Sequence, residues 1–380
     1  MQRGFARAEF EARTMAAQAM MAQQGLDALL LTTEADVRYF TGYLTRFWES
    51  PSRPWFLVLP AQGKPIAVIP SIGAPLMGQT WLDDIRTWRA PDVLDDGVSL
   101  LVDTLNSLHA LEIGTPMGAE SHLRMPLADW ARVQAALSGT VRDDARIVAT
   151  LRAVKSEAEV AKISQACAIA GRAFARMDQI ARKGVTVAQV FRDFQRLCLE
   201  EGADWVPYLA GGAGQGGYGD VISPAQDVPL ASGDVLMLDA GLVWDGYFCD
   251  FDRNFSIGAP TAETQSAHAR LIDAVESAAA IAREGTTAAQ LFHAMDEIVT
   301  GGAGGSDAGR LGHGLGMQLT EGLSLIPQDR TVLKAGMVIT LEPGIETGDG
   351  RMIVHEEDIL ITEGAPRFLS PRASRDIAAL

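Results

Sequence analysis

Asp239 and Asp250 stand in a stretch where a strand would ordinarily bury apolar side chains. In LASGDVLMLDAGLVWDGYFCDFDRNFSI (Leu230–Ile257), Val235 to Leu238 is a short apolar run and Asp245-Gly246 is a dipeptide suited to a two-residue hairpin loop. With that loop, Trp244 pairs with Tyr247 and Asp239 with Asp252, and Asp250 projects from the same face as Asp239. Two carboxylates roughly 5–8 Å apart on one face repel each other unless protonated or neutralised, and a metal ion is the usual remedy. The alternative is a solvated strand face.

The pattern occurs twice. LASGDVLMLDAG (Leu230–Gly241) recurs as LKAGMVITLEPG (Leu333–Gly344) at an offset of 103, with Asp239 falling on Glu342. The upstream IARKGVTVAQVF (Ile180–Phe191) recurs as IAREGTTAAQLF (Ile281–Phe292) at an offset of 101, each copy with a Thr-x-x-Gln helix start (Thr186/Gln189 and Thr287/Gln290). Two helix-then-hairpin units imply an internal duplication packed face to face. The second hairpin, after a Gly-rich turn at Thr347–Gly350, offers Glu356, Glu357 and Asp358 as its further acids. His313, between two glycines in GRLGHGLGMQLTEG, is placed to add one imidazole to a carboxylate set.

The rest of the chain must position these groups. Its 380 residues are enough for two domains, and 47% hydrophobic with 21% charged residues is a globular composition. A formal charge of −16 argues against nucleic acid or an anionic membrane as partner. Three scattered cysteines form neither a disulfide framework nor a zinc site. The N-terminal MQRGFARAEFEARTM has no signal-peptide apolar region and no segment approaches a membrane span, so a reducing cytoplasm is the expected compartment. Helical periodicity over 11–25, the apolar run GLDALLLTT, then FLVLP, PIAVIP and a helix from Leu127 describe a small α/β domain over residues 1–150. Its loop RFWESPSRPW gathers Trp48 and Arg53 as a candidate substrate-binding arm. From 151 to 380 the capped helices and duplicated hairpins make an α+β domain with an internal pseudo-twofold repeat. Gly212, Gly214 and Gly217 match G-x-G-x-x-G, but the motif runs into a new strand rather than a helix, which argues against a dinucleotide site.

Asp239, Asp250, His313 within GHGLG, Glu342 within LEPG and a Glu-Asp near the C-terminus together resemble the pita-bread metallohydrolases (peptidase family M24), which include methionine aminopeptidase, aminopeptidase P, prolidase and creatinase. DALLLTTEADVRYFTGY is similar to the N-terminal domain of the prolidase and creatinase branch. The resemblance implies that Asp239, Asp250, His313, Glu342 and Glu357 bind two divalent ions (Mn, Co, Zn or Fe), with Glu342 passing a proton to a leaving nitrogen. It also implies a homodimer. Peptidases of this fold usually carry a histidine where this chain has Thr320, and another upstream of the first hairpin, where this chain has none. Thr320, Tyr218 and His355 are the candidates to replace them, His355 standing where an arginine is common. The implied activity is hydrolysis of a C–N bond in a dipeptide or small amide, in the manner of Xaa-Pro dipeptidase or aminopeptidase P. Alternatives are creatinase-like or dimethylsulfoniopropionate lyase-like chemistry on a small zwitterion, or a non-catalytic binding module.

Overall fold

The computed structural model describes residues 3–49, 54–306 and 309–380. The chain divides into two compact units, Met1–Arg152 and Ala153–Leu380.

In the first unit, α1 (Arg7–Gln24) leads to β1 (Ala28–Leu31), α2 (Glu34–Thr41), β2 (Phe56–Pro60), β3 (Ile66–Pro70) and the short α3 (Ala74–Met77). There follow β4 (Ile85–Trp88), α4 (Val98–Ser107), β5 (Glu112–Thr115), α5 (Leu127–Ala136), β6 (Thr140–Asp143) and α6 (Ile147–Ala153). The strands form one mixed sheet in the order β4-β3-β2-β1-β5-β6. β1, β2 and β3 are buried along their whole length, which is why they read as unbroken apolar runs rather than alternating ones. Leu30, Val58 and Val68 meet Leu101, Leu105 and Val133 in the core of this unit.

The second unit begins with α7 (Glu157–Phe174), α8 (Val187–Glu200) and β7 (Trp205–Gln215), then β8 (Asp234–Trp244), β9 (Tyr247–Phe248) and β10 (Phe251–Ser256). The pattern returns with α9 (Ala262–Ile281), α10 (Ala288–Val299), β11 (Val338–Leu341), β12 (Gly344–Gly348), β13 (Arg351–Val354) and β14 (Glu357–Leu360). Two short strands, β15 (Arg367–Phe368) and β16 (Ala378–Ala379), close the chain against β14 and β10. The duplication is visible in single hydrogen bonds. The Gly184 N–H donates to the Leu230 carbonyl at 2.8 Å and the Gly285 N–H to the Leu333 carbonyl at 3.0 Å, while Thr186 bridges Pro229 and Thr287 bridges Val332. Thr287 and Gln290 close a full capping box; in the first copy Thr186 caps the Gln189 N–H, but the Gln189 amide turns to Asp193 at 2.9 Å. The glycine motif lies in β7 and the loop after it, where Gly211, at φ +145, passes so close to β8 that an added Cβ would stand 2.1 Å from the Met237 carbonyl oxygen.

The first hairpin turns on Asp245 (φ 49) and Gly246 (φ 80), both left-handed, as a two-residue turn matched to strand twist requires. Trp244 pairs with Tyr247 across it, and β8 and β10 continue in register to Asp239 opposite Asp252. Gly246→Val places a β-branched residue at a left-handed position and is expected to cost about 1–2 kcal/mol; an unchanged midpoint of urea unfolding would contradict this account of the turn.

Candidate metal centre

Asp239 sits mid-strand in β8, between β7 and β10, and Asp250 immediately precedes β10. His313 is delivered by close backbone approach. Its carbonyl accepts the Thr340 N–H at 2.7 Å and its N–H donates to Thr340 Oγ1 at 3.1 Å, pinning it beside β11. Gly312 (φ +139) makes this possible, since a Cβ there would stand 2.3 Å from the Thr340 carbonyl oxygen. Glu342 follows β11 directly, and Glu356 precedes β14.

These side chains converge. His313 Nε2 lies 3.4 Å from Asp250 Oδ2 and 4.0 Å from Glu356 Oε1, and one ligating atom from each of the three falls within 4.8 Å of the others. His313 Nδ1 is 3.0 Å from the Gly314 carbonyl oxygen, so a proton on Nδ1 leaves the Nε2 lone pair facing the acids. Asp239 Oδ1, Asp250 Oδ1 and Glu356 Oε1 are buried and have no hydrogen-bond partner among the described residues. Burial, then repulsion from one another and from Glu342, pushes the carboxyls of Asp239, Asp250 and Glu356 well above the usual range. Burial raises Glu342 too, against the favourable charges of His313 and Arg310. Partnerless buried carboxylate oxygens beside one imidazole fit a divalent cation, and an oxygen-rich set with a single nitrogen suits Mn²⁺, Co²⁺, Fe²⁺ or Zn²⁺.

Glu357, expected as the fifth ligand, is held outside this cluster, and the glutamate whose ligating atom lies within 4.8 Å of those of Asp250 and His313 is Glu356. Burial disfavours the Glu357 carboxylate, but Arg253 Nη2 at 3.0 Å, the neighbouring His355, Ser370 Oγ and the Ala373 N–H (2.8 Å) more than offset that and bring its pKa down to about 2. The reason for the exchange is a register slip. Between β12 and β13 the pairing shifts by one residue between Glu346 and Gly348. Carried inward from the Gly348–Arg351 pair without the shift, the ladder would set Glu357 opposite Glu342; with it, Leu341 faces Glu357, and the same register carried one residue on sets Glu342 opposite Glu356.

Three other expectations are revised. His355 is buried outside the cluster, with Nδ1 3.2 Å from Asp252 Oδ1 and Nε2 3.3 Å from Glu357 Oε1. Tyr218 is a strut of the apolar core rather than a substrate contact, its hydroxyl donating to Asn254 Oδ1 (3.2 Å) and accepting the Val354 N–H (2.7 Å). Trp48 is buried against Trp55, ring centroids 5.7 Å apart, with Arg124 5.0 Å above its ring. Arg53 lies outside the described residues. Thr320 is half-buried and accepts a hydrogen bond from Arg310 Nη2 at 3.1 Å, while the next residue, Glu321, pairs with Lys155 at 2.9 Å.

Two residues at the site escaped sequence reasoning. Tyr208 donates its hydroxyl to Asp239 Oδ2 at 3.0 Å, its ring lying over Gly241, where a Cβ would stand 3.1 Å away. Its signal is only positional: on β7 it faces Gly241, two residues from the Ala210–Asp239 pair, and no tight turn joins β7 to β8 to announce that register. Arg310, three residues before His313, bears electrostatically on Asp250 and Glu342.

A duplicated helix-and-hairpin unit that folds buried acids and one imidazole together is the pita-bread type of metallohydrolase. The model of the creatinase/prolidase N-terminal domain matches residues 13–154, and that of metallopeptidase family M24 matches residues 161–363. The chain belongs to metallopeptidase family M24 and is a metal-dependent hydrolase of that family. A probable dipeptidase PepE of Mycobacterium tuberculosis is 29% identical over 368 residues, covering 93% of this chain and 92% of that one. The structure of dipeptidase PepE from Mycobacterium ulcerans is similar with a TM-score of 0.85 at 28% identity over 99% of both chains. That of X-Pro aminopeptidase from Thermotoga maritima has a TM-score of 0.80 at 26% identity, over 97% of this chain and 99% of that one.

A carboxyl whose folded pKa lies above its unfolded value holds its proton more tightly when folded. Metal-free stability therefore falls as pH rises from about 4, the unfolded carboxylate range, through the raised folded values of Asp239, Asp250 and Glu356. Metal-free protein is expected to melt at a lower temperature at pH 7.5 than at pH 5.5. Mn²⁺ at about 100 times its Kd should restore on the order of 2.7 kcal/mol at pH 7.5 and less at pH 5.5. A melting temperature insensitive to Mn²⁺ at both pH values would contradict a metal centre.

Proposed function

We propose that this chain is a dinuclear metal-dependent dipeptidase, cleaving the C–N bond of a dipeptide or small amide that ends in a free carboxylate. The observation carrying this reading is the convergence of the buried Asp250 and Glu356 carboxylates on His313 Nε2, with an arginine at their side. Asp239, Asp250, His313, Glu342 and Glu356 would hold the ions. Bound divalent ions lower the pKa of a water and polarise a carbonyl.

The chain's own groups do the rest. Tyr208 holds Asp239 by its Oδ2 oxygen; burial, then the charge of Asp239, keeps its phenol protonated and therefore a donor. Glu342, whose hold on a proton burial strengthens against the opposing charges of His313 and Arg310, accepts a proton from the attacking water and returns it to the leaving nitrogen. Arg310 spends one donor on Thr320, leaving guanidinium N–H groups to meet a substrate carboxylate. The free, buried cysteines Cys167, Cys198 and Cys249 accord with a reducing cytoplasm, and no helix among the described residues is long and apolar enough to cross a membrane. A homodimer is the assembly this reading carries. The absence of an imidazole at Thr320 favours a second reading, creatinase-like or lyase-like chemistry on a small zwitterion.

A panel of Xaa-Pro and other dipeptides, N-acyl amino acids, creatine and dimethylsulfoniopropionate, assayed with Mn²⁺ or Co²⁺, separates the two. Dipeptide turnover abolished by Asp250→Asn supports the first, and turnover of the zwitterions alone refutes it. Arg310→Met removes a charged hydrogen bond worth about 1.5–3 kcal/mol, so KM for a free dipeptide should rise at least roughly tenfold while KM for its C-terminal amide stays unchanged. Equal effects on both would remove Arg310 from carboxylate recognition.

A further inference from the structure

We propose that Asp252 and His355 act as one positioning unit that ties the two repeats together beside the metal ligands and sets the cation affinity of the centre. The proposal rests on the metal-site reading above and extends it to two residues outside the ligand set.

Asp252 is directly opposite Asp239 and two residues beyond Asp250, so it is a third aspartate on the acid face of the first hairpin. It is almost wholly buried at 1% exposure, and its Oδ2 has no partner among the described residues. Its charge adds to the repulsion felt by Asp239, Asp250 and Glu342. A hairpin that carries two metal ligands gains nothing from a third buried acid unless that acid is held for a purpose.

His355 holds it. Nδ1 stands 3.2 Å from Asp252 Oδ1, and Nε2 stands 3.3 Å from Glu357 Oε1. Glu357 is itself fixed by Arg253, Ser370 and the Ala373 N–H. The imidazole thus spans from a loosely held acid on β10 to an anchored acid on β14. Asp250 and Glu356 are the residues immediately before those two strands, and the backbone N–H of Glu356 also favours the ionised Asp252. A shift of His355 therefore moves both ligands relative to each other, since each is coupled through at most two residues of chain to an end of the brace. Groups that orient metal ligands typically change affinity by about 10–100-fold when removed.

The test is Mn²⁺ affinity of the full chain by calorimetric titration, with apo melting temperature, kcat and KM measured in parallel, and the Co²⁺ absorption spectrum as a signature of ligand geometry. His355→Ala and D252A are each expected to weaken Mn²⁺ binding roughly 10–100-fold and to alter the Co²⁺ spectrum. The double variant should be no weaker than the worse single one, as for two parts of one unit. His355→Gln, whose amide still reaches Asp252, should recover most of the affinity, and kcat at saturating metal should fall more than KM rises. Should either alanine variant fail to fold, the near-isosteric D252N and the bulk-preserving His355→Leu carry the comparison, with the same loss of affinity expected. Alanine variants that bind Mn²⁺ within twofold of the parent, or an additive double variant, would overturn the brace. A parent chain that binds no Mn²⁺ would instead overturn the metal centre itself.

Discussion

Mutual repulsion among buried carboxylates is the constraint on which the second unit depends. Asp239, Asp250, Glu342 and Glu356 are withdrawn from water in one place, where burial and like charge both oppose ionisation. Such an arrangement is unstable as a bare cluster and stable around cations. The rest of the unit holds the acids in place: β7 and β10 flank the strand that carries Asp239, glycines let His313 approach β11, and a buried ion pair joins Lys155 to Glu321. The fold stores an electrostatic strain that metal binding relieves, so affinity and architecture are two sides of one arrangement.

Duplication explains how one chain brings such a cluster together. Each copy brings a capped helix, a strand with an acid (Asp239 within β8, Glu342 just after β11), and a return strand preceded by another. Packed about a pseudo-twofold relation, neither copy has to crowd all its charges onto a single hairpin. The imidazole comes from within the second copy, on the stretch between α10 and β11, and the C-terminal segment around Ser370 and Ala373 holds Glu357 apart from the cluster.

Much of this was legible in the sequence, because periodicity and turn chemistry are local. The Asp245-Gly246 turn fixes the first hairpin register, and with it the shared face of Asp239 and Asp250, without reference to the rest of the chain. Which of the two glutamates joins the acid cluster was not legible. Whether Glu356 or Glu357 enters the site depends on a one-residue bulge beside Glu346, and composition there does not announce a bulge. Tyr208 and Arg310 were hidden for a related reason: their roles depend on strands and loops brought together over long sequence separations. Tyr218 misled in the opposite sense, as its place in a glycine-rich segment resembles a substrate loop while its side chain serves the core.

Anomalous diffraction from crystals of the full chain soaked in Mn²⁺ examines the central claim most directly. The account predicts two peaks within coordinating distance of Asp239, Asp250, His313, Glu342 and Glu356, with Glu357 still paired to Arg253. Peaks bound by Glu357 in place of Glu356, or no ordered ion at these side chains, would contradict it.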